Sequence, residues 1–259
     1  MPINVSRTLG DLVTEDSRRM RVLEQLGLDY CCNGHRTLAE ASTSAGLDPA
    51  VVAESLVFAE PPAVAERGPR ENTDLAHEIV DTHHAYMWEE MPRLKALVDK
   101  VEGVHGTAHP ELAQVKAAFD EALGALEPHM TKEERQIFPA ISRMERTGSA
   151  SDPLDAAVAE LVDEHQHVGN LFKRLRTLTN GFEVPEGGCG SYRTMLSSMD
   201  EMERDLHEHI HKENNVLFPR ALELQKRLSL SSRPTLGAAK CPGACRKAPN
   251  SPCRVDFRA

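Results

Sequence analysis

Between residues 73 and 228, apolar side chains recur every three or four positions along four long segments, roughly 73–102, 110–146, 153–180 and 190–228. That period belongs to helices that bury one face. The segments are separated by GVHGTAHP, GSASDP and NGFEVPEGGCG, in which Gly, Pro and Ser interrupt helices. Period-2 alternation is absent, so the pattern predicts an all-α fold, an up-down four-helix bundle. Upstream, residues 7–59 carry shorter helical patterns: Thr8 as an N-cap, residues 18–26 as a helix stopped by Gly27, and Thr37 opening another. Residues 1–60 thus read as a small helical module and 61–72, within EPPAVAERGPREN, as a linker expected to limit contact between module and bundle. Residues 73–228 read as the bundle, and 229–259 as an irregular tail bearing Cys241, Cys245 and Cys253.

The inward stripes are not wholly apolar. In the fourth segment Met195, Met199, Met202, Leu206, His209, Glu213 and Val216 advance by three or four, while His207 and His211 fall off that line. The same chemistry occurs earlier in the chain. His129-Met-Thr-Lys-Glu133, four residues and Phe138-Pro139 are repeated 80 residues later as His209-Ile-His-Lys-Glu213, four residues and Phe218-Pro219. His and Glu at i and i+4 stand one above the other on a helix, so each pair can present an imidazole and a carboxylate to one point. The third segment places His165 on the line Leu154, Val158, Leu161, Val168, Phe172 and Leu175 and leaves His167 outside. In the first segment, Val80, His84, Met87, Met91, Leu94 and Val98 favour His84, whereas aligning EIVDTH with ELVDEH pairs His83 with His165. Taken singly, a His is ordinarily a surface or capping residue, and His35, His77, His83, His105, His109, His167, His207 and His211 are read so.

Six ionisable groups, His84, His129, Glu133, His165, His209 and Glu213, would therefore meet in the bundle core. Burying them without compensation costs several kcal/mol each, so a cation is expected among them. Two ions fit better than one, since each carboxylate can bridge a pair while each ion takes two imidazoles. Mixed N and O donors with open positions suit iron better than structural zinc, which closes a tetrahedron.

Composition narrows the classes further. Forty acidic against 30 basic residues give a formal charge of −10, so nucleic acid is not an expected partner. No apolar run approaches the roughly 18 residues of a spanning helix, and MPINVSRTLGDL lacks the charged-then-apolar form of a secretory signal, so a cytoplasmic location without a membrane partner is expected. In a reducing compartment the six Cys read as thiols, redox groups or metal ligands. Adjacent Cys31 and Cys32, in Asp29-Tyr30-Cys31-Cys32-Asn33-Gly34, could form a disulfide only with strain, leaving thiol chemistry, metal capture or a buried turn as readings.

With these residues in view, the chain resembles the repair-of-iron-centres family, hemerythrin-like di-iron stress proteins. The likeness spans about residues 7–227 and rests on Leu9-Gly10-Asp11-Leu12, DYCC-x-G at 29–34, MPRL at 91–94, KVEGVH at 100–105, HMTKEE at 129–134, EHQHVG at 164–169 and HIHKENNVLFPRAL at 209–222. It departs from the pattern at Pro128, expected to kink the helix or shift His129, and in the tail. The resemblance implies that His84, His129, Glu133, His165, His209 and Glu213 ligate two irons, oxo- or hydroxo- and carboxylate-bridged, and that Cys31 and Cys32 have a role in function or redox state. It implies repair of iron-sulfur clusters damaged by nitric oxide or peroxide through supply of iron, with damaged iron-sulfur proteins as partners. Reduction of nitric oxide or oxygen at the irons, or reversible carriage of such a gas, are the alternatives. Self-association into a homodimer is left open.

Overall fold

The computed structural model describes residues 3–58, 71–150 and 153–231, so most of the linker and nearly all of the tail lie outside the described residues. Within them no β-strand occurs. The module consists of α1 (Leu9–Glu15), α2 (Arg19–Gln25), α3 (Leu38–Ser44) and α4 (Pro49–Ser55). Local chemistry sets their ends. Thr8 Oγ1 accepts from the Asp11 N–H at 3.1 Å, and Thr37 and Glu40 form a reciprocal capping box. Gly27 follows α2 at a φ of 67°, a left-handed conformation that suits glycine. Helix α4 was not expected individually; Asp48 caps it and Pro49 occupies its first turn.

The bundle has four rods. The first comprises α5 (Asn72–Ile79), a π turn (Val80–His84) and α6 (Ala85–His105); the second comprises α7 (Leu112–Lys132), a π turn (Glu133–Ile137) and α8 (Phe138–Thr147). The third is α9 (Asp155–Leu178), and the fourth α10 (Gly190–Lys212), a π turn (Glu213–Leu217) and α11 (Phe218–Ser231). Each rod packs on the next and the fourth closes on the first.

The π turns of the second and fourth rods follow from the repeated Phe-Pro. Pro139 and Pro219 have no N–H, and their rings would strike the carbonyl four residues back. A widened turn moves that carbonyl aside, and the N–H groups of Phe138 and Phe218 donate to the carbonyls of Glu133 and Glu213. Pro128 has less effect than expected, since α7 continues through it and His129 remains buried.

Two apolar layers fill the bundle, and a polar layer divides them. One layer contains Leu75, Ile79, Ile141, Leu161, Leu217 and Phe218. The other contains Met87, Leu94, Phe119, Phe172, Met199 and Leu206 and runs without a break into Leu9, Leu23, Tyr30 and Cys31 of the module.

That continuity corrects the expectation that the linker limits contact between module and bundle. Asn215 Nδ2 donates to the carbonyls of Tyr30 at 3.3 Å and Cys31 at 2.9 Å, and Lys173 Nζ meets Asp29 Oδ2 at 2.9 Å. His207 and His211 leave the inward stripe because their own face of α10 is covered. The ring of Tyr30 sits edge-on to both, at 6.2 and 5.8 Å between centroids.

Candidate metal centre

His84, His129, Glu133, His165, His209 and Glu213 converge in the layer between the two apolar cores. They form two groups sharing both carboxylates: His84 and His209 with Glu133 and Glu213, and His129 and His165 with the same pair, the candidate donor atoms of each group lying within 4.8 Å of one another. Glu133 and Glu213 have no exposure at all. Glu133 Oε2 lies 3.4 Å from the Nε2 atoms of both His84 and His129. Glu213 presents Oε1 to His209 Nε2 and Oε2 to His165 Nε2, each at 3.1 Å. Each carboxylate thus faces one imidazole from each group.

Hydrogen bonding behind the rings fixes where their lone pairs point. His84 Nδ1 lies 2.9 Å from Glu134 Oε1, His129 Nδ1 2.6 Å from Glu164 Oε2, and His165 Nδ1 2.9 Å from Asn214 Oδ1. These oxygens accept, so the Nδ1 atoms carry the protons and the Nε2 lone pairs face inward. The Nε2 atoms of His129 and His165 are nevertheless only 2.9 Å apart, and those of His84 and His209 only 3.1 Å. Neutral rings of His129 and His165, both with the proton on Nδ1, oppose lone pair to lone pair. Among the described residues, none donates a hydrogen bond to the four oxygens of Glu133 and Glu213, although all are buried.

The proton equilibria carry the same demand for positive charge. Burial acts to raise the Glu213 carboxyl, but His209 and His165 beside it hold it well below the ordinary carboxylate range. Burial acts to lower His165, and Glu213 reverses this and lifts it to about 9. His84 is raised as well, since Glu133 outweighs its burial, whereas burial prevails at His209 and lowers it. A cation between the rings would engage the inward imidazole nitrogens and both carboxylates together, so the donor set fits one or two metal ions.

The structure also separates His83 from His84. The π turn at Val80–His84 inserts a residue into the first rod, so His84 takes the inward place that the alignment of EIVDTH with ELVDEH gives to His83. His83 is buried too, contrary to its reading as a surface residue. Its Nδ1 meets Asp205 Oδ1 at 2.9 Å, its Nε2 accepts from Lys212 Nζ at 2.8 Å, and its ring stacks on His209 with centroids 5.5 Å apart. His211 likewise is buried rather than exposed, with Nε2 3.3 Å from Thr14 Oγ1, and burial lowers its pKa to about 4. The buttresses Glu134, Glu164 and Asn214 escaped the sequence reading. Glu134 and Glu164 are direct chain neighbours of Glu133 and His165, the one signal that could have found them.

Glu134 leads outward to the chain's single tryptophan, because Trp88 Nε1 donates at 3.0 Å to the same Oε1 that His84 engages. Iron loading should therefore quench Trp88 fluorescence. His84→Ala is expected to lose much of its bound iron and most of the quench, whereas His83→Ala keeps both. Iron retained in His84→Ala but lost from His83→Ala would reverse the assignment.

Cys31 and Cys32 lie at the other side of this layer. Both are unbonded, with sulfurs 3.9 Å apart, and Cys32 Sγ is 3.7 Å from the carbonyl oxygen of His165. Of the remaining cysteines, Cys189 is an exposed thiol at the start of α10, while Cys241, Cys245 and Cys253 lie outside the described residues. No helix among the described residues is long and apolar enough to cross a membrane.

Comparison with known proteins agrees with this geometry. The hemerythrin HHE cation binding domain matches residues 75–221, and ScdA_N, a domain of unknown function, matches residues 5–60. The iron-sulfur cluster repair protein YtfE of Yersinia pestis (strain Pestoides F) is 36% identical over 220 residues, covering 84% of this chain and 97% of the relative. The protein of the same name from Yersinia pseudotuberculosis serotype O:1b (strain IP 31758) matches to the same extent. A helical module docked on a bundle whose buried His and Glu demand a cation thus coincides with the two matched domains, and the chain belongs to the hemerythrin HHE family and, over most of its length, to that of these iron-sulfur cluster repair proteins.

Proposed function

We propose that the chain holds two iron ions between His84, His129, Glu133, His165, His209 and Glu213, and supplies iron to iron-sulfur clusters damaged by nitrosative or oxidative stress. The observation that carries this reading is the pair of Nε2–Nε2 approaches over two shared, buried carboxylates that receive no hydrogen bond. The name of the relatives supplies the client class, damaged iron-sulfur proteins. In this reading Glu133 and Glu213 would each serve both ions, because each faces imidazoles of both groups. When bound, the irons are both the redox-active centre and the cargo.

The residues of the chain set the terms of release. Imidazoles and carboxylates hold iron less tightly than the thiolates of a cluster do, so transfer to a cluster runs in the favourable direction. Glu134, Glu164 and Asn214 orient three of the rings, whereas His209 Nδ1 has no hydrogen-bond partner among the described residues, which leaves that ring the least constrained. Cys31 and Cys32 stand on the module side of His165 and act in delivery. Unbonded thiols of this kind fit the reducing cytoplasm.

The test compares the full chain with the Cys31→Ser/Cys32→Ser protein for bound iron and for reactivation of a nitric-oxide-damaged aconitase-type enzyme. Iron content is expected to hold at about two per chain while reactivation falls at least about 10-fold. Full reactivation by the double-Ser protein would make the thiols bystanders. Absence of iron from protein purified without added metal would remove the reading itself.

A further inference from the structure

Asp29 has an unusual concentration of contacts for a residue in a turn. Its Oδ1 accepts from the backbone N–H groups of Cys32 at 3.0 Å and Asn33 at 3.3 Å, and its Oδ2 accepts from Asn33 Nδ2 and Lys173 Nζ, each at 2.9 Å. The carboxylate is thereby fixed against the paired sulfurs, with Cys31 Sγ 3.3 Å from Oδ1. One atom from each of Asp29, Cys31 and Cys32 falls within 4.8 Å of the others.

These distances match those of a chelate. Two thiolates on one tetrahedral ion with metal–sulfur bonds of about 2.3 Å stand about 3.8 Å apart, and an oxygen ligand stands somewhat nearer to each sulfur. The observed 3.9 Å between sulfurs and 3.3 Å from sulfur to oxygen need only small adjustments. Position gives the trio a direction. Cys32 Sγ touches the carbonyl of His165 on the bundle side, while Asp29 and Cys31 line a cavity of about 580 Å³ between module and bundle.

We propose that Asp29, Cys31 and Cys32 form a third cation site, selective for a thiophilic divalent ion such as ferrous iron or zinc, between the buried His and Glu layer and that cavity. As a way station for outgoing iron it rests on the iron-supply reading above; as a binding site it stands on its own geometry. Binding breaks two S–H bonds and forms two sulfur–metal bonds. Up to two protons leave to solvent, and no oxidation state changes. Two sulfurs and one oxygen leave a fourth position open, as a site that passes its ion on requires. Lys173 is the built-in competitor, because its ammonium on Oδ2 already neutralises Asp29 and opposes a second cation at Oδ1.

The experiment uses the full, iron-loaded chain with Cys189, Cys241, Cys245 and Cys253 changed to Ser, so that Cys31 and Cys32 are its only thiols. Cadmium ion is the probe. Its binding is read by metal analysis, by the ultraviolet thiolate-to-cadmium absorption and by proton release, with retained iron measured in the same samples. One cadmium per chain is expected beyond the resident iron. Cys31→Ser/Cys32→Ser should abolish it, Asp29→Asn should weaken it by at least about 10-fold, and Lys173→Ala should tighten it about 3-fold. Tightening in particular is not what a folding defect produces. Iron held at about two per chain with no thiolate absorption, or cadmium binding that survives the double-Ser change, would overturn the third site and leave the iron-supply reading standing. Failure of the chain to hold iron at all would instead overturn that reading.

Discussion

Replacing Glu213 with Ala is expected to take bound iron from about two ions per chain to nearly none, and Glu133→Ala to do the same. Each carboxylate faces both groups, Glu213 through separate oxygens to His165 and His209 and Glu133 through one oxygen to His84 and His129. If two ions are held as proposed, loss of either would remove a ligand from both and leave four imidazoles and one carboxylate to hold them. Glu213→Gln, which keeps the volume and removes the charge, should fail nearly as badly. Folding stability should respond differently. In metal-free protein the Glu213→Ala change leaves the buried imidazoles of His165 and His209 without the carboxylate that pairs with them, and it is destabilising. In iron-loaded protein it forfeits the stabilisation that a ligand bound only to the native state provides, about 4 kcal/mol at a thousand times Kd. His207→Ala and His211→Ala are the controls, since neither side chain enters the two groups. His211→Ala should lower the melting temperature by opening the seam with Thr14 while leaving iron in place. Iron loss of equal size in all these variants would refute the division between inward and module-facing histidines.

Gly34→Ala is expected to undock the N-terminal module. A Cβ there would collide with Asn215 Oδ1 and with the carbonyl oxygen of Tyr30; the side chain can turn away, but the carbonyl is backbone. Gly10 approaches the same amide from the other side, where an added Cβ would lie 2.7 Å from Asn215 Oδ1. Overpacking of this kind costs about 1–3 kcal/mol, a fall of roughly 2–12 °C in melting temperature for a chain of this size. Asn215→Ala attacks the seam from the bundle side and leaves the carbonyls of Tyr30 and Cys31 without their donor, at about 1–3 kcal/mol. Both variants should be cut faster in the linker by a protease and should repair clusters poorly, yet retain iron. A bundle fragment beginning near Asn72 should melt below the full chain for the same reason. Unchanged proteolysis and melting in Gly34→Ala would show that the close approach at Asn215 does not hold the module.

What sequence alone determined here is what local geometry determines. Residues three and four apart share a helix face whatever surrounds them, so the stripes through His165 and His209 and the doubled His-x3-Glu could be read directly, as could the caps at Thr8 and Thr37. Burying six ionisable groups is expensive wherever it occurs, and that cost pointed to a cation before any distance was known. The tertiary structure decided what depends on residues remote in the chain or on a break in the helical period. The stripe from Val80 to Val98 already favoured His84, and the π turn at Val80–His84 supplies the inserted residue that puts the alignment of EIVDTH with ELVDEH one place out, at His83. His83 and His211 sit on faces that solvent would cover in an isolated helix, but Asp205 and Lys212 close over the first and Thr14 and Tyr30 over the second. The docking of the module was likewise hidden, because a Pro-rich linker records how two parts are joined and carries no information about the surfaces they share. Asn215, between Gly10, Gly34 and the carbonyls of Tyr30 and Cys31, is an ordinary polar residue in its own helix and acquires its role only from partners about two hundred residues away.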